Sequence, residues 1–188
     1  MLETDRLLLR PLRASDAVMQ RQLWSERGPR VPAHRRISAD GHPTLEELQE
    51  RIRTGFRGHS LGLLAIEQRS TGEVIGCCGL LESSHFPTDE PEIAFELLHD
   101  RWGRGYATEA ARAVVEWADA GGVPRLWATV REWNTASRRV LATLGFVETD
   151  RVQPDPEHGD TLFIIDVWLW SGMAAAIWVS RKREKAGG

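Results

Sequence analysis

The sequence predicts an α/β (α+β) domain: a mixed central sheet of about seven strands with helices on both faces. Three observations predict it. The first is the element order, β-α-α-β-β-β-α-β-α-β-β, read from where apolar periodicity switches between strand and helix spacing. The second is the unit formed by strand 92–98, helix 106–120 and strand 126–130. Two strands flanking one helix should lie parallel through a right-handed crossover. The third is the glycine-rich turn inside that unit, residues 102–109, Trp-Gly-Arg-Gly-Tyr-Ala-Thr-Glu. A turn from strand to helix leaves several backbone amides unpaired and pointing one way, and the helix dipole adds partial positive charge. Two glycines let the backbone approach an anion closely. The turn is therefore expected to hold the pyrophosphate of a nucleotide-like cofactor.

The elements follow in order. Leu7-Leu8-Leu9, followed by Pro11, reads as the first strand. Ser15 is expected to cap a helix running to about Ser25. Residues 27–43, rich in proline, glycine and arginine, read as a loop. Thr44-Leu45-Glu46-Glu47 is a capping box opening a second helix that ends in the 55–58 region. Strands 61–67 and 74–81 are joined by the turn Ser70-Thr71-Gly72-Glu73. A polar loop, 82–91, leads into strand 92–98, the glycine turn and helix 106–120. Gly121-Gly122 and Pro124 stop that helix. After strand 126–130, Asn134 caps a helix through Thr143, and Gly145 supplies a left-handed stop. Strands 146–152 and 161–170 complete the domain, 1–170. Residues 171–188 read as a C-terminal extension, an extra helix whose end Arg181-Lys182-Arg183 would suit.

Bulk properties narrow the function. The chain has 188 residues and a formal net charge of −3, which argues against bulk electrostatic binding to nucleic acid. Its two cysteines, Cys77 and Cys78, are adjacent, so on a strand they point to opposite faces and do not pair. That usage suits a reducing, cytoplasmic setting. The N-terminus lacks the pattern of a signal peptide, and no apolar run approaches a membrane span. The histidines show no paired ligand spacing, so no metal is expected.

The turn does not fit a P-loop, because no Gly-Lys-Ser/Thr follows. Nor does it fit a dinucleotide fingerprint, since it follows the fourth strand and position 125 is Arg. A second block, Asn134-Thr-Ala-Ser137-Arg138-Arg139-Val-Leu-Ala-Thr-Leu144-Gly145-Phe146, adds the decisive context. With the glycine turn it resembles the GNAT superfamily of acyl-CoA-dependent N-acyltransferases. The opening Glu3-Thr4-Asp5-Arg6-Leu7-Leu8-Leu9-Arg10-Pro11 is similar to the branch that includes ribosomal-protein N-terminal (alanine/serine) acetyltransferases.

The resemblance implies the GNAT fold, with a splayed parallel strand pair, and acetyl-CoA as co-substrate. It places the CoA pyrophosphate on the backbone of Trp102, Gly103, Arg104, Gly105, Tyr106, Ala107 and Thr108, with Arg104 adding charge. It places the pantetheine arm along the strand edge near Leu97 and His99 as an added strand. Asn134 matches a residue that bonds the arm, and Ser137 and Arg138 match positions near the thiol end and the phosphates. Trp102 replaces the common Gln or Arg, a variant at home in this branch. The tyrosine acid of many relatives is absent, Val140 and Leu141 standing in that region.

Acyl transfer to an amine needs a neutral amine, a polarised carbonyl and a proton for the leaving thiolate. An α-amine costs roughly 1 kcal/mol to deprotonate at pH 7, and lysine roughly 4.6. A weak base or a water chain therefore suffices for an N-terminus. Glu92 and Glu96 are the candidate bases, about 13 Å apart on one strand face. Glu92 is preferred, since several relatives carry a carboxylate there that works through water, and Glu96 is expected instead to line the acceptor pocket or form an ion pair. A strand-end ion pair is its bland alternative. Ser137 is the replacement proton donor, or else a helix-start residue bonding backbone. Amides near Leu97 would polarise the carbonyl. The expected reaction is direct attack in a ternary complex, with Cys77 and Cys78 as core residues.

The acceptor is open between a protein N-terminus and a small amine or antibiotic, and a catalytically silent acyl-CoA sensor is the rival from another class. Arg27, Arg30, His34, Arg35 and Arg36 form a basic stretch that either attracts an anionic acceptor or is a solvated loop. His85 and Asp89 face the acceptor or the surface. Trp117, Trp127 and Trp168 are expected to pack in the core, and Trp133 either packs or meets a ligand. A second copy of the chain is the only macromolecular partner expected besides an acceptor.

Overall fold

A computed structural model describes residues 1–55 and 62–166. The strands are β1 (Leu2–Glu3), β2 (Leu7–Pro11), β3 (Gly62–Gln68), β4 (Val74–Leu81), β5 (Glu92–Leu97), β6 (Trp127–Arg131), β7 (Phe146–Gln153) and β8 (Thr161–Asp166). The α-helices are α1 (Ala17–Glu26), α2 (Leu45–Gly55), α3 (Tyr106–Ala120) and α4 (Thr135–Thr143). The strands form one sheet of order β1-β2-β3-β4-β5-β6-β8-β7. Every neighbouring pair is antiparallel except β5–β6, which is parallel. The mixed sheet and its one parallel crossover match expectation. The eighth strand is β1, whose two residues pair with Leu8 and Leu9. The 171–188 extension, strand residues 167–170 and Trp168 lie outside the described residues.

The sheet separates two apolar layers. One holds Leu7, Leu9, Cys78, Ile93 and Leu97 with Ala110, Ala111 and Val114 of α3 and Leu141 of α4. The other holds Ala65 and Cys77 with Ala17, Met19 and Leu23 of α1 and Leu48 and Ile52 of α2. Period-2 alternation thus sends Cys77 and Cys78 to opposite faces. Burial pushes the Cys77 thiol up to about 12, with Cys78 raised further. Neither is a thiolate near neutral pH, so neither is a ready nucleophile.

Local signals set most helix ends. Thr44 accepts from the Glu47 amide at 3.2 Å, and Glu47 accepts from the Thr44 amide at 2.7 Å, closing the capping box. Gly122 and Gly145 take left-handed φ values of 74° and 89° where α3 and α4 stop. Two expectations need correction. Ser15 does not cap α1: a 3-10 turn, Ala14–Asp16, precedes the helix, and the Asp16 carboxylate takes the Arg13 amide at 2.6 Å. Trp117 is 42% exposed, because the buried stripe of α3 runs through Ala110, Ala111, Val114 and Ala118 and leaves position 117 beside it.

Candidate active site

β5 ends in a 3-10 turn, His99–Arg101, and the chain then enters the glycine turn. Gly103 and Gly105 both have left-handed φ, 72° and 79°. Side chains avoid that region, so glycine is required at both positions. No side chain caps α3. Among the described residues, nothing accepts from the amides of Gly103, Arg104, Gly105, Tyr106, Ala107 or Thr108. Six free donors at a helix start form an anion cradle. The Arg104 side chain is exposed beside it and makes no bond to a described residue.

The N-terminal segment holds this turn in shape. Arg6 donates Nη1 to the Arg104 carbonyl at 3.0 Å and Nε to Glu109 Oε2 at 2.6 Å. The other carboxylate oxygen, Oε1, accepts from the Arg6 amide at 3.0 Å and the Thr4 hydroxyl at 2.6 Å. The Arg6 guanidinium lies 4.6 Å over the Tyr106 ring, whose hydroxyl accepts from Gln68 at 2.8 Å. Burial pushes the Glu109 carboxyl up, but the Thr4 and Arg6 bonds outweigh it and hold the group below the usual glutamate range. An unpaired carboxylate in the first turn would repel a phosphate, and Arg6 cancels that charge. Sequence reading missed this contact. Its only trace is the pairing of the opening Glu3–Arg6 stretch with an acid in the α3 start.

β5 and β6 share one register pair, Glu92↔Trp127, and then part. The Trp127 amide bonds the Pro91 carbonyl at 3.0 Å. The next inward-facing β6 amide, Thr129, bonds instead the Glu92 carboxylate, Oε1 at 3.0 Å. The Thr129 hydroxyl donates to the same oxygen. A side chain has replaced the next rung of the ladder, so the strands fork at Glu92. The second oxygen, Oε2, has no partner among the described residues. Leu98 donates its amide to Ile75 of β4, so by alternation the amides of Phe95 and Leu97 face the fork.

The expected arm contacts are partly taken. Trp102 donates its indole N–H to the Leu97 carbonyl at 2.8 Å, and the His99 amide donates to Glu26 at 2.9 Å. The Leu97 amide, rather than its carbonyl or His99, is the group left for an added strand. Asn134 Oδ1 caps α4 through the Ser137 amide at 3.2 Å, while its Nδ2 and the Ser137 hydroxyl have no described partner. Arg138 donates to Glu148 at 2.7 Å and to the Glu132 carbonyl at 3.0 Å, so its charge is already paired.

Glu96 is closed by a two-pronged ion pair with Arg27, Nε to Oε1 at 2.8 Å and Nη2 to Oε2. An aromatic wall flanks the fork: Phe86 stacks on Trp127 at 4.6 Å, and His85 stands edge-on to Phe163 at 5.6 Å. Trp133 packs on Gly159, where an added Cβ would lie 2.6 Å from its ring, and bonds the His158 carbonyl at 2.7 Å. Asp89 is exposed. Among the described residues, no three His, Cys, Asp or Glu side chains converge on a metal position, and no helix is long and apolar enough to cross a membrane.

A forked parallel pair leading into a free-amide glycine turn offers an anion cradle beside an open strand edge. Residues 6–147 match the family model of the acetyltransferase (GNAT) domain, and the chain belongs to that family. Family members use acetyl-CoA as co-substrate and acetylate amines. An uncharacterized N-acetyltransferase of Bacillus licheniformis is 28% identical over 99% of this chain and 98% of its own length. Another, from Bacillus subtilis, is 32% identical over 77% and 81%. Two solved structures share the fold. A ribosomal-protein-S5-alanine acetyltransferase from Vibrio fischeri superposes with TM-score 0.68 at 19% identity, over 87% of this chain and 94% of its own. A spermidine N-acetyltransferase variant from Vibrio cholerae gives 0.68 at 15% identity, over 86% and 94%.

Proposed function

We propose that the chain transfers the acetyl group of acetyl-CoA directly to a primary amine in a ternary complex, with a protein N-terminus as first acceptor class and a small amine as second. The observation that carries this reading is the Glu92 carboxylate at the fork, one oxygen fixed by Thr129 and the other open. CoA pyrophosphate lies on the amides of residues 103–108, and the pantetheine arm enters the gap beyond Glu92. The Leu97 and Phe95 amides are the donors available to the thioester carbonyl. The amine gives its proton to Glu92, directly or through water, and its nitrogen attacks the carbonyl carbon. The C–N bond forms, the C–S bond breaks, and the CoA thiolate leaves as thiol after taking a proton. Ser137, with its hydroxyl unengaged, relays that proton to the thiolate and takes up in exchange the second proton that the acylated nitrogen sheds.

Glu92→Gln is expected to lower kcat by about 100-fold and leave acetyl-CoA affinity unchanged. Thiol release against an amine panel, with calorimetric titration of acetyl-CoA, measures both. An unchanged kcat removes Glu92 from the chemistry. Tight acetyl-CoA binding without thiol release from any amine would mark a silent sensor instead.

A further inference from the structure

We infer that the acceptor amine carries an anionic group of its own, and that Arg35 recognises it. The inference rests on the acetyltransferase reading and narrows its substrate class. Glu92 and Glu96 alternate with Ile93 and Leu97 along β5, and the latter two sit in the α3 layer. The carboxylates therefore face the α1–α2 side, where Glu96 pairs in register with Cys77 of that layer. The arginine-rich loop lies on the same side. Arg27 bonds Glu96 through Nε and Nη2 and the Arg35 carbonyl through Nη1 at 2.6 Å, which ties the Arg35 backbone to the side of the sheet that carries the β5 acids.

Charge pairing on this side of the sheet leaves Glu92 open, and in the loop it leaves Arg35, with Arg30 and Arg36 flanking it, without a bonded side-chain partner among the described residues. Arg27 and Glu96 cancel, with Arg27 also 4.8 Å over the Trp24 ring. Arg131 and Asp155 cancel at 2.7 Å, and Arg131 spends a further bond on the Gly159 carbonyl. Glu92 retains a free oxygen and a charge. Arg35, exposed as a residue, makes no side-chain hydrogen bond or ion pair with any described residue. Its guanidinium is nonetheless crowded by protein: desolvation lowers its pKa, Arg27 and Arg131 act in the same direction, and Glu96 and Glu92 oppose them.

A free carboxylate oxygen and an unpaired guanidinium on the same side of the sheet suit a ligand with the opposite arrangement. The amine meets Glu92, and an acidic group on the same molecule meets Arg35. A guanidinium presents a planar fork that matches carboxylate or phosphate in two-point fashion. A polyamine fits poorly: its further positive charge would meet Arg35, and Glu96, already paired with Arg27, offers it no free carboxylate.

The test is a matched acceptor panel followed by thiol release. It contains 4-aminobutyrate and its neutral amide, 3-aminopropyl phosphate, the peptides Ala-Asp-Ala-amide and Ala-Asn-Ala-amide, and spermidine. The anionic member of each pair is expected to exceed the neutral one by at least about tenfold in kcat/KM. Arg35→Ala should erase that ratio through KM, leave kcat within about twofold, and leave the neutral amines unchanged. Arg35→Lys should restore part of it. The free acid, the phosphate and the peptide arms tell a small acidic amine from an acidic N-terminus. Equal rates for charged and neutral partners, a ratio that survives Arg35→Ala, or spermidine as the best acceptor would overturn the inference while leaving the acetyltransferase reading intact. No release with any amine would overturn both.

Discussion

Gly105→Val is expected to weaken acetyl-CoA binding by more than about 100-fold while the fold persists. Gly105 has φ 79° and ψ 1°, a conformation that a β-branched residue strongly avoids. The left-handed region costs an L-residue roughly 1–2 kcal/mol, so the backbone of the variant rotates away. Space is not the obstacle, since an added Cβ meets only the Arg6 guanidinium, at 3.5 Å. Rotation turns the amides of Gly105, Tyr106 and Ala107 away from a common point. Two lost charge-assisted hydrogen bonds at about 1.5–3 kcal/mol each give the expected loss. Calorimetric titration reads the affinity, and a melting curve beside it reads the fold. Normal binding to a folded variant would move the pyrophosphate off this turn.

Asp16→Ala is expected to destabilise the protein by about 3–5 kcal/mol, the largest stability effect foreseen. Arg10 is only 5% exposed, and its guanidinium is held by Asp16 at 2.8 and 3.0 Å and by Glu67 at 2.7 Å. Removing Asp16 leaves a buried cation with one carboxylate partner and frees the Arg13 amide. The effect depends on pH. Burial pushes the Asp16 carboxyl up, but its bonds from Arg10 and Arg13 outweigh this and hold it below the usual aspartate value. A carboxylate whose pKa falls on folding stabilises the native state above its unfolded pKa of about 3.9, and that contribution is lost as pH falls through the lower folded value. The melting-temperature gap between wild type and Asp16→Asn should therefore be full at pH 7 and shrink below about pH 4. A gap independent of pH would mean that Asp16 acts by packing alone.

The features legible in the sequence were those written locally. β4, α3 and the capping box came from residues that carry their own conformational instructions, as did the Asn134 cap and the left-handed Gly145. The glycine turn was legible for the same reason, because two glycines between a strand and a helix specify a backbone shape. What stayed hidden was written across distance. Arg27 meets Glu96 over 69 positions, Thr129 meets Glu92 over 37, and Arg6 meets Glu109 over 103. The same holds for α1: Asp16 is drawn to Arg10 and to the Arg13 amide, and that pairing displaces Ser15 as the starting signal. Each long contact decides what a site residue can do. Glu96 was open between lining the acceptor pocket and forming an ion pair until Arg27 was seen to occupy it, and Arg138 looked free until Glu148 was seen to pair with it.

The central claim is that acetyl-CoA sits with its pyrophosphate on residues 103–108 and its arm in the β5–β6 fork. The most direct measurement is a titration of isotope-labelled protein followed by backbone amide chemical shifts. Acetyl-CoA should shift the amides of Gly103, Arg104, Gly105, Tyr106, Ala107 and Thr108 most strongly, with Phe95 and Leu97 next. S-acetylpantetheine, which lacks the pyrophosphate, should move the second group and spare the first. Saturable binding of acetyl-CoA that leaves the 103–108 amides in place would contradict the account.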